Sequence, residues 1–179
     1  HFEEYPFLVD ELDKAGEEGS PGRTAAEKNH MVAYGATVLA MLIHESFVAC
    51  LQLGDGDILL VYDSGITVRP MEEDVRLFAN ETTSLSGTDS ADDFRIYFQD
   101  VDDNAPALIL AATDGYFNSF PSETGFWALG KDFLELLRGE GLETVEGSLL
   151  QWLEETTRDG CGDDITAGVL CRLSCLETA

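Results

Sequence analysis

The feature that most constrains the fold is a set of short apolar segments that each meet an aspartate at one end. The segment PALILAATDG, residues 106–115, runs through apolar and small residues and then stops at an aspartate and a glycine. The segment GDDITAGVL, residues 162–170, begins with two aspartates and continues as an apolar run. In LGDGDILLV, residues 53–61, two aspartates separate two apolar runs. Apolar runs of this length, bounded by turn residues, are typical of buried β-strands.

A strand pattern also fills the region around the first aspartate pair. Three strand-like segments are separated by the turns HES and DGD, which predicts an antiparallel meander with a tight aspartate-glycine turn. Both faces of this sheet are mostly apolar, so we expect it to be covered on both sides. The predicted strands are 35–43, 47–54, 58–65, 94–99, 106–113 and 164–173.

Helical spacing of apolar residues appears near both ends of the chain. It predicts a helix over 1–14, followed by a loop over 15–23 that is rich in glycine, serine and proline. It also predicts a helix over 131–139, ended by Gly139, and another over 144–158. Strands followed by helices and a last strand indicate an α+β fold with a largely antiparallel sheet system.

Length and composition limit the classes of protein that remain. The 179 residues suit one domain, and 44% of them are hydrophobic, as in ordinary globular proteins. Acidic residues number 35 and basic residues 10, so a net charge of −25 disfavours nucleic acid and anionic membranes as partners. The apolar runs are too short to span a bilayer, and we find no export signal. We therefore expect a cytoplasmic protein whose four cysteines are thiols.

The aspartates at the strand ends are candidate metal ligands. Taken singly, Asp55, Asp114 and Asp163 each fit an ordinary turn or a solvated loop. Taken together, three acids at strand ends would repel one another if the strands were neighbours, and a bound cation would relieve that repulsion. Oxygen ligands suit magnesium, manganese or calcium. The hypothesis therefore requires that the three carboxylates meet in one place.

These motifs resemble a known family. YGATVLAMLIHESFVACLQLGDGDILLVYDSG, LILAATDGYFNSF and GDDITAGVL are similar, in order and spacing, to motifs of the metal-dependent protein phosphatases of type 2C, and most of all to the bacterial branch. The resemblance runs from about Tyr34 to Leu173. It implies an α-β-β-α sandwich, a site with two Mg²⁺ or Mn²⁺ ions and a possible third, and attack of a metal-activated water on phosphoserine or phosphothreonine of a protein substrate.

The resemblance assigns roles to individual residues. Asp114 matches the metal-binding aspartate of the family's Ser-Asp-Gly motif, with threonine in the serine position. Asp163 matches the aspartate of its Asp-Asn pair, with Asp164 in the asparagine position. Asp55 matches the aspartate of its Gly-Asp-Ser motif, which holds a third and looser metal, with glycine in the serine position. The segment 71–89 falls where the family has a variable flap.

One family motif has no match in this chain. The family's N-terminal strand carries an acidic ligand, and an Asp-Gly-x-Gly-Gly motif follows it; neither is present before Tyr34. We therefore expect that residues 1–179 form a single type 2C phosphatase-like domain whose N-terminal part is missing. The substrates would be phosphoproteins of a cognate serine/threonine kinase. Two alternatives are a non-catalytic phosphatase-like regulatory or binding module and an acidic calcium-binding or adhesion module.

Overall fold

The chain forms two antiparallel sheets with helices packed beside them, which confirms the predicted α+β class. A computed structural model describes residues 9–14, 16–29, 31, 34–72, 74, 82–87, 89–101 and 104–176. The elements, in chain order, are α1 (Val9–Lys14), α2 (Pro21–Lys28), β1 (Val38–Ile43), β2 (Phe47–Leu53), β3 (Asp57–Val61), β4 (Thr67–Val68), β5 (Arg95–Asp100), β6 (Leu108–Ala112), α3 (Asp114–Asn118), α4 (Glu123–Glu140), α5 (Leu142–Asp159), β7 (Ala167–Cys171) and a final 3₁₀ turn (Leu173–Cys175).

The larger sheet has four strands in the order β4-β3-β6-β7. Every residue of β3 and β6 is buried, and all of them except Asp57 are apolar or small. In the register of the sheet, Asp57 lies opposite Ala112, and Ala112 lies opposite Ala167. The start of β3, the end of β6 and the start of β7 therefore share one edge of the sheet.

The smaller sheet has three strands in the order β1-β2-β5. The meander prediction was right for β1 and β2 and wrong for the third strand, because β3 pairs with β6 and not with β2. Residues 54–56 cross from one sheet to the other instead of forming a hairpin turn. Gly54 has φ +95°, and a Cβ on Gly54 would lie 2.3 Å from the side chain of Thr37, so only glycine fits this crossing.

Two hydrophobic clusters hold the layers together. One lies between the two sheets and includes Val48 and Cys50 of β2 with Ile58 of β3. The other lies between the four-stranded sheet and the helices, and includes Leu110 of β6 and Phe126 of α4. The layers are thus a three-stranded sheet, a four-stranded sheet and the helices α3 to α5.

The outer face of the three-stranded sheet corrects a second prediction. Leu42 is 60% exposed, Ile96 73% and Phe98 58%, so this sheet is not covered on both sides by the part of the chain that the structure describes. The phenyl ring of Phe98 stacks on that of Phe47, with ring centres 5.2 Å apart. The presence of apolar residues on both faces of these strands therefore does not show how many faces of the sheet are covered.

Helix boundaries also differ from the predicted ones. Helix α2 begins at Pro21, inside the predicted loop, because proline is well suited to the first turn of a helix. Helix α4 begins at Glu123, where the Ser122 side chain accepts a hydrogen bond from the backbone of Gly125, and it ends at Glu140, with Gly141 instead of Gly139 as the capping residue. Residues 1–8 of the predicted N-terminal helix lie outside the described residues. Among the described helices, none has the length and apolar character needed to cross a membrane.

Candidate functional site

The four-stranded sheet brings the three predicted aspartates to the same edge, which we name the acidic edge. Asp55 lies two residues before β3, and Asp114 is the first residue of α3, directly beyond the end of β6. Asp163 lies in the loop that enters β7. The register of the three strands places these positions side by side at the edge described above.

Two threonines tie this edge together. The backbone N–H of Thr113 donates to the carbonyl oxygen of Thr166 at 2.9 Å, and the backbone N–H of Thr166 donates to Oγ1 of Thr113 at 2.9 Å. The Thr113 hydroxyl donates to the carbonyl oxygen of Asp164 at 3.4 Å. Thr113, which occupies the family's serine position, therefore fixes the loop of Asp163 and Asp164 beside Asp114.

Two glycines allow the backbones at this edge to approach closely. A Cβ on Gly115 would lie 2.6 Å from the carbonyl oxygen of Asp164 and 3.3 Å from Cβ of Asp163. A Cβ on Gly56 would lie 2.8 Å from the carbonyl oxygen of Ala112. Since real side chains do not tolerate such contacts with backbone, glycine is required beside both Asp55 and Asp114.

The carboxylates of the cluster influence one another. Burial raises the pKa of Asp114 above its ordinary value, and the negative charges of Asp55 and Asp163 raise this pKa further. Backbone hydrogen bonds from Gly115 and Asp114 itself oppose part of this effect. The side-chain amide of Asn118 donates to Oδ2 of Asp114 at 3.3 Å. Asp114 is thus a partly buried acid that its two neighbours make harder to ionise.

The chemistry of this edge fits a hard divalent cation in part. Its donors are carboxylate oxygens, which Mg²⁺ and Mn²⁺ prefer, and their mutual repulsion is what a cation relieves. Asp55 and Asp163 are exposed, and Oδ1 of Asp163 accepts a hydrogen bond from the backbone N–H of Asp164 at 2.9 Å. Over the described ranges of the chain, however, no three His, Cys, Asp or Glu side chains already stand close enough to hold a metal ion. The residues fit the ion in charge and ligand type, without forming a complete ligand set.

Asp57 is buried, unlike the exposed Asp55, although only one residue separates them. Its carboxylate is buried and lies 2.9 Å from Nε of Arg69, which is also largely buried. The guanidinium carbon of Arg69 lies 5.1 Å from the ring centre of Phe117 and 5.6 Å from that of Trp127. This arrangement, which we name the Arg69 clamp, joins β3 to α3 and α4 beside the acidic edge.

The Arg69 clamp was missed by sequence reasoning. The ion pair joins positions twelve residues apart across a strand and a loop, and no local motif marks Arg69. Trp127 is partly buried, and its ring lies beside the guanidinium group of Arg69. The scarcity of basic residues, ten in 179, is the sequence feature that could have drawn attention to it.

The described part of the predicted flap lies next to the site. The backbone N–H of Gly54, adjacent to Asp55, donates to Oγ1 of Thr83 at 2.9 Å. The backbone N–H of Leu85 donates to the carbonyl oxygen of Ala36 at 3.0 Å, just before β1. Several other positions of the segment 71–89 lie outside the described residues.

Comparison with known proteins adds a family and a fold. A family model described as Protein phosphatase 2C matches residues 8–154. A crystal structure of a bacterial serine phosphatase is similar, with a TM-score of 0.54 and 16% identity over 83% of this chain and 62% of that one. The catalytic domain of the serine threonine protein phosphatase PstP, in complex with two manganese ions, has a TM-score of 0.50 and 18% identity over 90% of this chain and 77% of that one.

The sequence identities to these solved structures are low, and the matches cover only part of their length. A variant of the bacterial serine phosphatase has a TM-score of 0.51 and 17% identity, and the match covers 76% of this chain and 53% of that one. The chain thus spans between about half and three quarters of the solved structures it resembles. No curated protein matches it in sequence. At such identities the solved structures support the fold alone.

Proposed function

Because the chain belongs to the protein phosphatase 2C family, we propose that it is a metal-dependent serine/threonine protein phosphatase that hydrolyses phosphoserine and phosphothreonine. The observation that carries this proposal is the acidic edge, where Asp55 and Asp163 raise the pKa of Asp114. The motifs named for the resemblance and the matched family model both support it. We further propose that residues 1–179 belong to one such domain.

We propose that Asp114 and Asp163 are ligands of two Mg²⁺ or Mn²⁺ ions and that Asp55 serves a third, more loosely held ion. When bound, such cations supply Lewis-acid activation of water and neutralise the charge of the phosphate. Manganese in the PstP catalytic domain supports this choice of metal. The mutual repulsion of the three carboxylates supports it further, because a cation would offset the charge that they share.

The chain's own residues would set where those ligands stand. Thr113 holds the Asp163 loop against the first turn of α3, and Gly115 lets the two backbones touch. A phosphate dianion that approached three bare carboxylates would be repelled, so substrate binding should require the metal. The Arg69 clamp would keep Asp57 engaged, so that Asp55 alone faces the site from this side.

We propose phosphorylated proteins of a cognate kinase as substrates and the cytoplasm as the location. The four cysteines, all free thiols, support a reducing compartment. The net charge of −25 supports the absence of nucleic acid or anionic membrane among the partners. The described flap residues beside Gly54 would contribute to the choice of phosphopeptide.

The test is manganese-dependent hydrolysis of a phosphothreonine peptide by the full-length protein, compared with Asp114→Asn. We expect a loss of turnover of about 10²-fold or more, because a ligand carboxylate is removed. Asp132→Asn is the matched control, since it removes the same charge from an exposed position of α4.

Two outcomes would contradict the proposal. Unchanged turnover in Asp114→Asn would exclude Asp114 as a ligand. A wild-type protein that binds manganese and a phosphopeptide without turnover would identify the alternative, a non-catalytic phosphatase-like binding module.

A further inference from the structure

Two cysteines face each other at the end of β7 that points away from the acidic edge. Cys171 is the last residue of β7, and Cys175 is the last residue of the 3₁₀ turn that follows. Their Sγ atoms are 3.9 Å apart. Cys175 is buried, and its thiol donates to the carbonyl oxygen of Ala107 at 3.4 Å. The pair plays no part in the proposed phosphatase site.

The backbone around the pair is held in place by several hydrogen bonds. The N–H of Arg172 donates to the carbonyl oxygen of Ala107 at 2.9 Å, and the N–H of Cys175 donates to the carbonyl oxygen of Arg172 at 3.0 Å. Nε of Arg138, on α4, donates to the carbonyl oxygen of Cys175 at 3.0 Å. These backbone hydrogen bonds therefore hold the two thiols close together in the fold.

Cys171 is the more accessible thiol of the pair. It lies opposite Leu108 in the register of the sheet, on the face that packs against the helices, where Cys175 also lies. Cys171 is partly exposed, whereas Cys175 is buried. A small molecule therefore reaches Cys171 first, and Cys175 lies behind it.

We propose that Cys171 and Cys175 are a redox-active dithiol, which a low-molecular-weight disulfide of the glutathione type oxidises to an intramolecular disulfide. The Cys171 thiolate attacks one sulfur of glutathione disulfide, forms a mixed disulfide and releases one glutathione thiolate. The Cys175 thiolate then attacks the Cys171 sulfur and releases the second glutathione. The two protein thiols lose two electrons and two protons, and both go to the two glutathione molecules.

The second step is favoured by the geometry of the pair. Its two sulfurs are already in contact, and rotation of the side chains must bring them from 3.9 Å to a bond of roughly 2 Å. A preformed contact gives Cys175 a high effective concentration at the mixed disulfide. The mixed disulfide should therefore not accumulate while Cys175 is present.

The environment of the pair predicts slow exchange at neutral pH. Burial and the neighbouring Cys175 raise the pKa of the Cys171 thiol, while the charges of Arg138 and Arg172 lower it in part. Because only the thiolate attacks, the rate should rise about tenfold per pH unit below that pKa. The charged groups around the pair are Arg138 from α4, Arg172 from its own segment and Asp63 bound to both arginines, while His44 and Glu45 lie on the opposite face of the sheet.

The experiment treats the full-length Cys161→Ser protein with glutathione disulfide at pH 8.5, alkylates the remaining thiols and digests with trypsin without reductant. Trypsin cuts after Arg172, between the two cysteines, so the disulfide would leave peptide 159–172 joined to the peptide that begins at Leu173. The joined pair should be two hydrogen atoms lighter than its parts and should separate with dithiothreitol. Cys161→Ser removes the other cysteine of the first peptide.

Two comparisons make the result decisive. Adding Cys175→Ser should convert the joined peptides into a stable glutathione adduct on Cys171, which is the intermediate stopped before its second step. Cys50, the buried thiol on β2, should stay alkylatable in the unfolded digest under all conditions. Recovery of Cys171 and Cys175 as free thiols to the same extent as Cys50, or as separate glutathione adducts in the protein that keeps both, would overturn the proposal.

Discussion

The two sheets of this protein use similar apolar strands in different ways. In the four-stranded sheet, β3 and β6 are buried at every residue, between the other sheet on one side and the helices on the other. In the three-stranded sheet, only the inward residues of β2 and β5 reach the core, and outward residues such as Ile96 stay exposed. The comparison teaches that apolar strand residues are suited to burial, whereas the layers packed on each face of a sheet determine which of these residues are buried.

The sequence predicts this difference in burial only in part. The strand β6, LILAA, is apolar at every position, whereas β5, RIYFQD, alternates in burial along its length. The hydroxyl of Tyr97 donates to Oε1 of Gln99 at 2.9 Å, so the inward face of β5 carries polar contacts as well. Polar residues thus distinguish β5 from β6, but they do not distinguish β1, VLAMLI, which is apolar throughout and still exposes Leu42.

The largest expected effect comes from removing one leucine from each sheet. Leu110→Ala, in the fully buried β6, should lower the free energy of unfolding by about 3 kcal/mol, because it opens a cavity in the core. Leu42→Ala, on the exposed face of β1, should lower it by under about 1 kcal/mol. Urea unfolding of the two variants measures both values. Equal losses would mean that another part of the protein covers Leu42.

A smaller effect is expected from breaking the Arg69 clamp, which lies on the helix-covered side of the four-stranded sheet. Arg69→Met should lower the free energy of unfolding by about 2–3 kcal/mol, because the carboxylate of Asp57 is left buried without its partner. The exposed pair of Lys131 and Glu135 provides the control, and Lys131→Met should cost under about 0.5 kcal/mol.

A double variant separates charge from packing in this clamp. Adding Asp57→Asn to Arg69→Met should recover part of the lost stability, since the unpaired charge is then removed. A double variant that is no more stable than Arg69→Met would show that the loss comes from the contacts of Arg69 with Phe117 and Trp127, and not from the charge of Asp57.

The comparison also marks where sequence reasoning was sufficient. The β6 strand, the edge position of Asp114 and the return of the chain at Asp163 follow from local patterns, because an apolar run that ends in an acid and a glycine has few other structures. The prediction that β3 lies in the same sheet as β2 was wrong, because the turn chemistry of residues 54–56 is the same for a hairpin and for a crossing. Strand pairing depends on distant residues, which a local pattern does not contain.

In the candidate site, too, the sequence predicts some features and not others. The metal roles of Asp55, Asp114 and Asp163 stay predictions, whereas their placement at one edge follows from the sheet register. Thr113 and Thr166, which connect the two loops, were out of reach of the sequence, because their hydrogen bonds join positions more than fifty residues apart. Side-chain contacts between separate loops have no periodicity that a sequence could display.

The smallest expected effect concerns whether the three-stranded sheet is loosely packed or only covered on one side. Cys50 of β2 points into the core between the sheets, and burial raises the pKa of its thiol from 9.0 to about 11. The neutral thiol is therefore favoured in the folded protein. The stability that this contributes is complete below pH 9, and it is lost as the pH rises through 11.

At pH 8 we expect iodoacetamide to modify exposed Cys161 rapidly and Cys50 more slowly by orders of magnitude. Mass spectrometry of the intact, folded protein measures both rates, and Cys50→Ala identifies the slow site. Between pH 9 and 11, Cys50→Ala should lose stability less steeply with pH than the parent protein does. Rapid modification of Cys50 at pH 8 would mean that the inner face is open as well, and the contrast between the sheets would then be one of packing instead of coverage.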